Sequence, residues 1–246
     1  MENFEPHIKC SRELDVRYAV IPGDPMRVDR IAEHLDNPQL VAFNREYKSI
    51  IGYYKGIKVL AISSGIGGPS TAIAIEELKN IGIESAIRIG SCGALLKDIK
   101  LGDLIISQAA VRDDGTSKTY IKEIYPAVAD IDLLNASIEC AKTLKYNYHV
   151  GIVRSHDSFY IDDEEKISRF WGSKNILGSD METSSLYVIG RLRGIKTLSI
   201  LNVVVENEEN TKEGIGSYVN GLDAAVEGEK REIILALETI YKYHNK

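Results

Sequence analysis

Cysteine is scarce, with three in 246 residues. Cys10, Cys92 and Cys140 are odd in number, widely spaced and without a C-x-x-C pair. That excludes a disulfide scaffold, offers no zinc-ligand spacing, and reads as free thiols in a reducing compartment. A basic excess is missing too. Lys and Arg total 30 against 36 Asp and Glu, a net charge of −6, which is the wrong sign for a dedicated nucleic-acid binder. No apolar run is long enough for a membrane span of about 20 residues. The longest uncharged stretch, 59–75, is broken by glycines and Pro69. The first fourteen residues are polar and show no signal peptide. A cytoplasmic location is expected. What remains is ordinary globular composition, 44 % hydrophobic and 27 % charged, in a chain large enough to bury its own core.

Apolar runs alternate with amphipathic stretches. Ala19–Ile21 ends at Pro22-Gly23-Asp24-Pro25, and Val28, Ile31, Ala32 and Leu35 then recur at helical spacing. Ser49–Tyr54 and Val59–Ser63 flank Lys55-Gly56 as a hairpin. Further strands are predicted at 86–89, 104–111 and 150–153, and at 198–205, whose nearly unbroken apolar run suits a strand covered on both faces. Helices are predicted at 71–80, 131–144, 185–193 and 226–243, and a mobile loop at 206–221. With no repeat and no linker, the pattern predicts one α/β domain over 1–246, three layers α/β/α around a mixed central sheet.

The segment Ser63-Ser64-Gly65-Ile66-Gly67-Gly68-Pro69-Ser70 follows a strand and opens a helix, a turn that can offer backbone N–H groups to an anion. Gly65-x-Gly67, with Glu84 about 20 residues on, imitates a dinucleotide fingerprint, but Ser70 replaces the third glycine. Two other strand ends carry Gly with Arg: Gly23-Asp24-Pro25-Met26-Arg27 and Arg88-Ile89-Gly90-Ser91-Cys92-Gly93. Ligands of open α/β sheets bind at such ends, and the arginine fork matches phosphate oxygens. Arg88 lies in an apolar strand, where it needs either an anion or an internal partner such as Glu76 or Glu77. Ser155-His156-Asp157 is no triad, because adjacent strand residues point to opposite faces.

Several segments in register resemble the nucleoside phosphorylase family that contains uridine phosphorylase and the hexameric purine nucleoside phosphorylases. They are Ile21–Arg27, Asn44–Tyr47, Ser64–Ile73, Arg88–Ala94, Pro126–Asp130 and Asp180-Met181-Glu182. The resemblance implies reversible phosphorolysis of a nucleoside to ribose 1-phosphate and free base. It implies a phosphate site of Gly23, Arg27, Arg88 and Ser91, with Arg45 from a neighbouring subunit. Met181 and Glu182 would meet the ribose, with the neighbour's His7 at the 5′-hydroxyl. The implied base site is Phe159, Tyr160, Cys92, Gly93, Asp180 and Glu206. A shared site implies a homo-oligomer, in this branch a hexamer built as a trimer of dimers. No metal or organic cofactor is expected.

The residue types suit that chemistry. Phosphate is the nucleophile at an oxocarbenium-like sugar carbon, so the protein must hold and orient an anion. The base edge departs from the family pattern. Uridine phosphorylases of this kind use Gln and Arg shortly after the aromatic pair, where this chain has Asp163 and Glu165. Glu206, or Asn207, follows the last strand at the place where purine enzymes carry an acid near N7. An acid there could protonate a purine leaving group. The expectation leans to purine nucleosides, with uridine as the alternative. A hydrolytic nucleosidase, a dehydrogenase and a non-catalytic binding module are more remote.

Overall fold

The computed structural model describes residues 4–207 and 223–246. The loop expected at 206–221 lies, from 208 onward, outside the described residues.

The chain runs β1 (Tyr18–Ile21), α1 (Pro25–Ala32), β2 (Asp36–Asn44), β3 (Tyr47–Tyr54), β4 (Ile57–Ile62), α2 (Gly68–Ile81) and β5 (Ser85–Ala94). It continues with β6 (Leu104–Asp113), α3 (Gly115–Tyr120), β7 (Ala127–Val128), α4 (Ile131–Leu144), β8 (Tyr148–His156), α5 (Glu164–Gly172) and β9 (Gly178–Asp180). The last elements are α6 (Thr183–Arg193), β10 (Lys196–Val205) and α7 (Asp223–His244).

Local chemistry sets several boundaries. Asp24 caps α1 by accepting from the Met26 N–H at 2.9 Å, and Pro25 opens the helix where no N–H is needed. Asp130 caps α4 in the same way. Gly82 and Gly194 close α2 and α6 in the left-handed region, at φ 100° and 71°. Lys55 and Gly56, with φ 50° and 84°, make the predicted hairpin turn between β3 and β4.

The sheet is mixed. One side runs β2-β3-β4-β1-β5. From β5 the pairing passes through β10, β6, β8 and β9 and returns to β5, so this half closes on itself. Helices α2, α3 and α6 pack together, and α4 packs on α7. Both groups reach β10, whose residues Thr197–Val205 are all buried, which fits the doubly covered strand read from its apolar run. The three-layer expectation holds, with the closed half-sheet as an addition. One apolar cluster extends from Ile8 to Ile240.

Strand β2 escaped the sequence reading. It contains Pro38 and is largely exposed, so it lacks the alternation of a half-buried strand and survives as an edge paired only to β3. Helix α5 was missed as well, since it buries no residue.

Parallel register positions the site. Strands β1 and β5 pair with Ile21 beside Arg88. Their carboxyl ends therefore deliver the Gly23 loop and the Gly90-Ser91 segment to one edge of the sheet.

Candidate active site

Two backbone hydrogen bonds join the glycine turn to the β1 loop. Ser64 N–H donates to Pro22 O at 2.9 Å, and Gly65 N–H to Gly23 O at 3.0 Å. Gly65 sits at φ 72°, and a Cβ there would come within 2.6 Å of Glu46 Cγ. Only glycine fits. The turn does present an amide to an anion, but the anion is a side chain: Gly67 N–H donates to Glu182 Oε1 at 2.6 Å.

A cavity of about 1420 Å³ opens at this edge. Gly23, Arg27, Arg88 and Ser91 all line it. Arg88 is 4 % exposed. Its Nε donates to Asp180 Oδ2 at 3.2 Å and its Nη2 to Glu182 Oε2 at 2.5 Å, while its buried Nη1 has no hydrogen-bond partner among the described residues. Burial opposes its charge, but Glu182 and Asp180 outweigh that and hold the guanidinium above its ordinary pKa. The internal partners are therefore not Glu76 or Glu77. Glu76 pairs with Arg193, and Glu77 accepts from the His7 and Ile8 amides.

Arg27 is equally buried. Its Nη2 donates to Ser91 Oγ at 3.2 Å, and its Nε to Glu229 Oε2 at 2.9 Å. Nη1 lies 3.2 Å from Glu232 Oε1. Glu229 and Glu232, both on α7, were missed in the sequence. The available signal was their spacing, three residues apart and in phase with Ile233, Leu237 and Ile240, which places two acids on the buried stripe.

Glu182 stands at the start of α6 yet makes no capping bond. Its carboxylate accepts from Gly67, Arg88 and, at 3.3 Å, the Met181 amide. Burial pushes its pKa up against the pull of Arg88. Met181 lines the cavity beside it.

At the other end, Phe159, Cys92, Gly93, Glu206 and Asn207 line the cavity. Tyr160 does not; it is 72 % exposed and packs edge-on to Phe159 at 4.8 Å. The predicted aromatic pair thus divides: Phe159 lines the cavity, and Tyr160 packs against its ring from the solvent side. Asp180 also lines the cavity, and its carboxylate accepts from Ser155 Oγ, Arg88 Nε and the Thr183 N–H and hydroxyl. Glu206 accepts from Leu101 N–H at 3.1 Å and from Lys100 Nζ at 3.0 Å. The Leu101 amide first, and then Lys100, hold its carboxyl below the usual range, which makes it a poor proton donor. Asn207 Nδ2 donates to Leu95 O at 3.1 Å. Cys92 is buried, and burial raises its thiol pKa well above normal.

His7 and Arg45 lie outside the cavity lining. His7 Nδ1 is 2.6 Å from Glu77 Oε1. Arg45 is exposed at φ 56° in the turn between β2 and β3. The Ser155-His156-Asp157 run disperses: Ser155 binds Asp180, His156 Nδ1 meets Ser158 O, and Asp157 accepts from Gly115 N–H. The dinucleotide imitation also dissolves, since Glu84 pairs with Arg17 at the surface.

The family model described as "Phosphorylase superfamily" matches residues 17–225. The chain belongs to the phosphorylase superfamily. A uridine phosphorylase of Thermococcus kodakarensis is 41 % identical over 221 residues, covering 85 % of this chain and 80 % of that one. A guanosine phosphorylase of Halorubrum lacusprofundi is 36 % identical over 236 residues, covering 96 % and 98 %. The crystal structure of uridine phosphorylase from Vibrio fischeri, complexed with 6-hydroxy-1-naphthoic acid, superposes with a TM-score of 0.91 at 46 % identity, covering 97 % of each chain. Within the superfamily this chain is a nucleoside phosphorylase, a pentosyltransferase. Among its described residues, no helix is long and apolar enough to cross a membrane.

Proposed function

We propose that the phosphorylase binds inorganic phosphate between Arg27, Arg88, Ser91 and the Gly23 loop, and uses it to cleave a ribonucleoside. The observation that carries this is a pair of buried guanidiniums, Arg88 on β5 and Arg27 on the helix that follows its parallel neighbour β1, one of them with a donor unspent among the described residues. Phosphate attacks C1′ as the C1′–N bond breaks, giving ribose 1-phosphate. The bonding electrons leave with the base, which takes up a proton. The protein's part is to orient the nucleophile and stabilise charge in a water-poor site. Glu182 meets the ribose hydroxyls. A carboxylate has about four lone-pair sites, and three donors already use it, one of them the long Met181 amide contact. One hydroxyl fits at once, and a second by displacing that amide. No cofactor enters, since phosphate is the second substrate.

For the base, uridine is the favoured reading. The purine expectation rested on Glu206 as an acid and on Asp163 and Glu165 standing where uridine phosphorylases carry Gln and Arg; the first support weakens, because that carboxylate is committed to Leu101 and Lys100. The likeness to uridine phosphorylases supports the same choice. Guanosine is the second reading, favoured by a guanosine phosphorylase that matches nearly end to end and by Asp163 and Glu165 in the lining, which can accept from adjacent N–H groups of a base.

We also propose a shared site, at least a dimer and in the expected assembly a hexamer. Arg45 and His7 lie outside their own chain's cavity, as donation to a neighbour requires. Three reduced cysteines support a cytoplasmic location. The test is uridine, guanosine, inosine and adenosine, each with and without phosphate. Cleavage at equal rate without phosphate overturns phosphorolysis, and the order of turnover decides the base.

A further inference from the structure

Behind the phosphate site, among the described residues, three guanidiniums meet five carboxyls. Arg27 and Arg30 contact Glu229, Arg30 also meets Asp24, Arg27 lies against Glu232, and Arg88 is held by Asp180 and Glu182. With every one of these groups ionised, they would sum to a net negative charge before any phosphate arrived. A dianion would then enter against that charge in a poorly solvated space, where such repulsion is strong. One carboxyl therefore has reason to be neutral when phosphate binds.

Glu232 has the position for it. It is 0 % exposed. Its Oε2 accepts from the Gly90 N–H at 3.1 Å, on the segment that leads to Ser91. Its Oε1 is 3.2 Å from Arg27 Nη1 but has no hydrogen-bond partner among the described residues. Glu232 does not line the cavity, so it reaches the anion only through the groups it holds. The charged or titratable groups that face it are Arg27 on α1, Arg88 and Cys92 on β5, and Glu229 on its own helix.

We propose that Glu232 is a positioning residue of the phosphate site, one that couples phosphate affinity to a proton. It sets the Arg27 guanidinium and the Gly90 amide. When its carboxyl ionises, the added charge beside Arg27 opposes the incoming anion. Burial supports the neutral form near neutrality by pushing the carboxyl up to about 8, against Arg27. The inference rests on the phosphorolytic reading above.

The experiment measures KM for phosphate at saturating nucleoside from pH 7 to pH 9, in wild type and Glu232→Gln. A carboxyl that titrates near 8 only in the unloaded enzyme raises KM about tenfold over this range. Glu232→Gln cannot titrate, so the rise should vanish. The ionisation of phosphate itself is common to both proteins and cancels in the comparison. The effect should fall on KM for phosphate and leave KM for the nucleoside unmoved. An equal rise in both proteins overturns the proposal while leaving phosphorolysis intact; a wild type that ignores phosphate overturns both. Should Glu232→Gln not fold, calorimetry of phosphate binding to wild type at pH 8.5, in buffers of different ionisation heat, reads the proton directly. Uptake beyond that of phosphate's own ionisation supports the proposal, and its absence overturns it.

Discussion

Replacing Arg88 with lysine keeps one positive charge between Asp180 and Glu182 but removes the planar fork. Arg88 spends Nε on Asp180 and Nη2 on Glu182, which leaves Nη1 for an anion. A lysine offers three donors from a single point and cannot serve three directions as widely separated as these. Losing one charge-assisted hydrogen bond costs about 1.5–3 kcal/mol. At about 1.4 kcal/mol per decade that is roughly 10- to 150-fold in kcat/KM for phosphate. The buried acids keep a counter-charge, so the fold escapes the roughly 3–5 kcal/mol that an uncompensated Arg88→Ala would risk. Initial rates at saturating nucleoside and varied phosphate measure the effect, with thermal unfolding as the control. A variant within twofold of wild type, or one whose loss lies wholly in KM for the nucleoside, would refute the assignment of Arg88 to phosphate.

Gly90→Ala tests the same guanidinium without touching a charge. Its Cβ would stand 2.5 Å from Arg88 Nη2 and 2.7 Å from Cζ, in a group pinned by two acids; kcat/KM for phosphate should fall on the order of 10- to 100-fold, and an unchanged value would show that Arg88 need not be placed. Glu206→Gln should change uridine and guanosine cleavage alike, by less than about twofold, as expected of a group outside the chemistry; a selective loss for the purine would restore Glu206 as its acid. Stability should carry the mark of Glu232. Its carboxyl holds a proton in the fold that it loses on unfolding between its ordinary value of 4.5 and about 8. Wild type should therefore lose stability relative to Glu232→Gln as pH rises through that window, and the difference should level off above it. A denaturation midpoint gap that stays constant from pH 5 to pH 8 would contradict the raised value.

Much of the fold was legible because its signals are local. The apolar run at 198–205, the Lys55-Gly56 turn and the Asp130 cap act within a few residues of themselves, and each element appears where those signals put it. Strand β2 and helix α5 were not legible, because exposed elements carry little apolar periodicity. The site divides in the same way. Arg27, Arg88, Ser91, Met181 and Glu182 stood out as motif residues and share one cavity. Their partners did not stand out.

By itself the sequence determined the class of the fold, the strand ends that carry glycine and arginine, and the chemistry those residue types can perform. Which carboxyl holds which guanidinium was decided only by the tertiary structure. Arg27 meets Glu229 and Glu232 across some two hundred positions of chain, and Glu182 takes the Gly67 amide and Arg88 in place of a helix cap. Such pairings follow from sheet register and helix packing, which bring distant residues into hydrogen-bond range, and no periodicity along the chain encodes that distance.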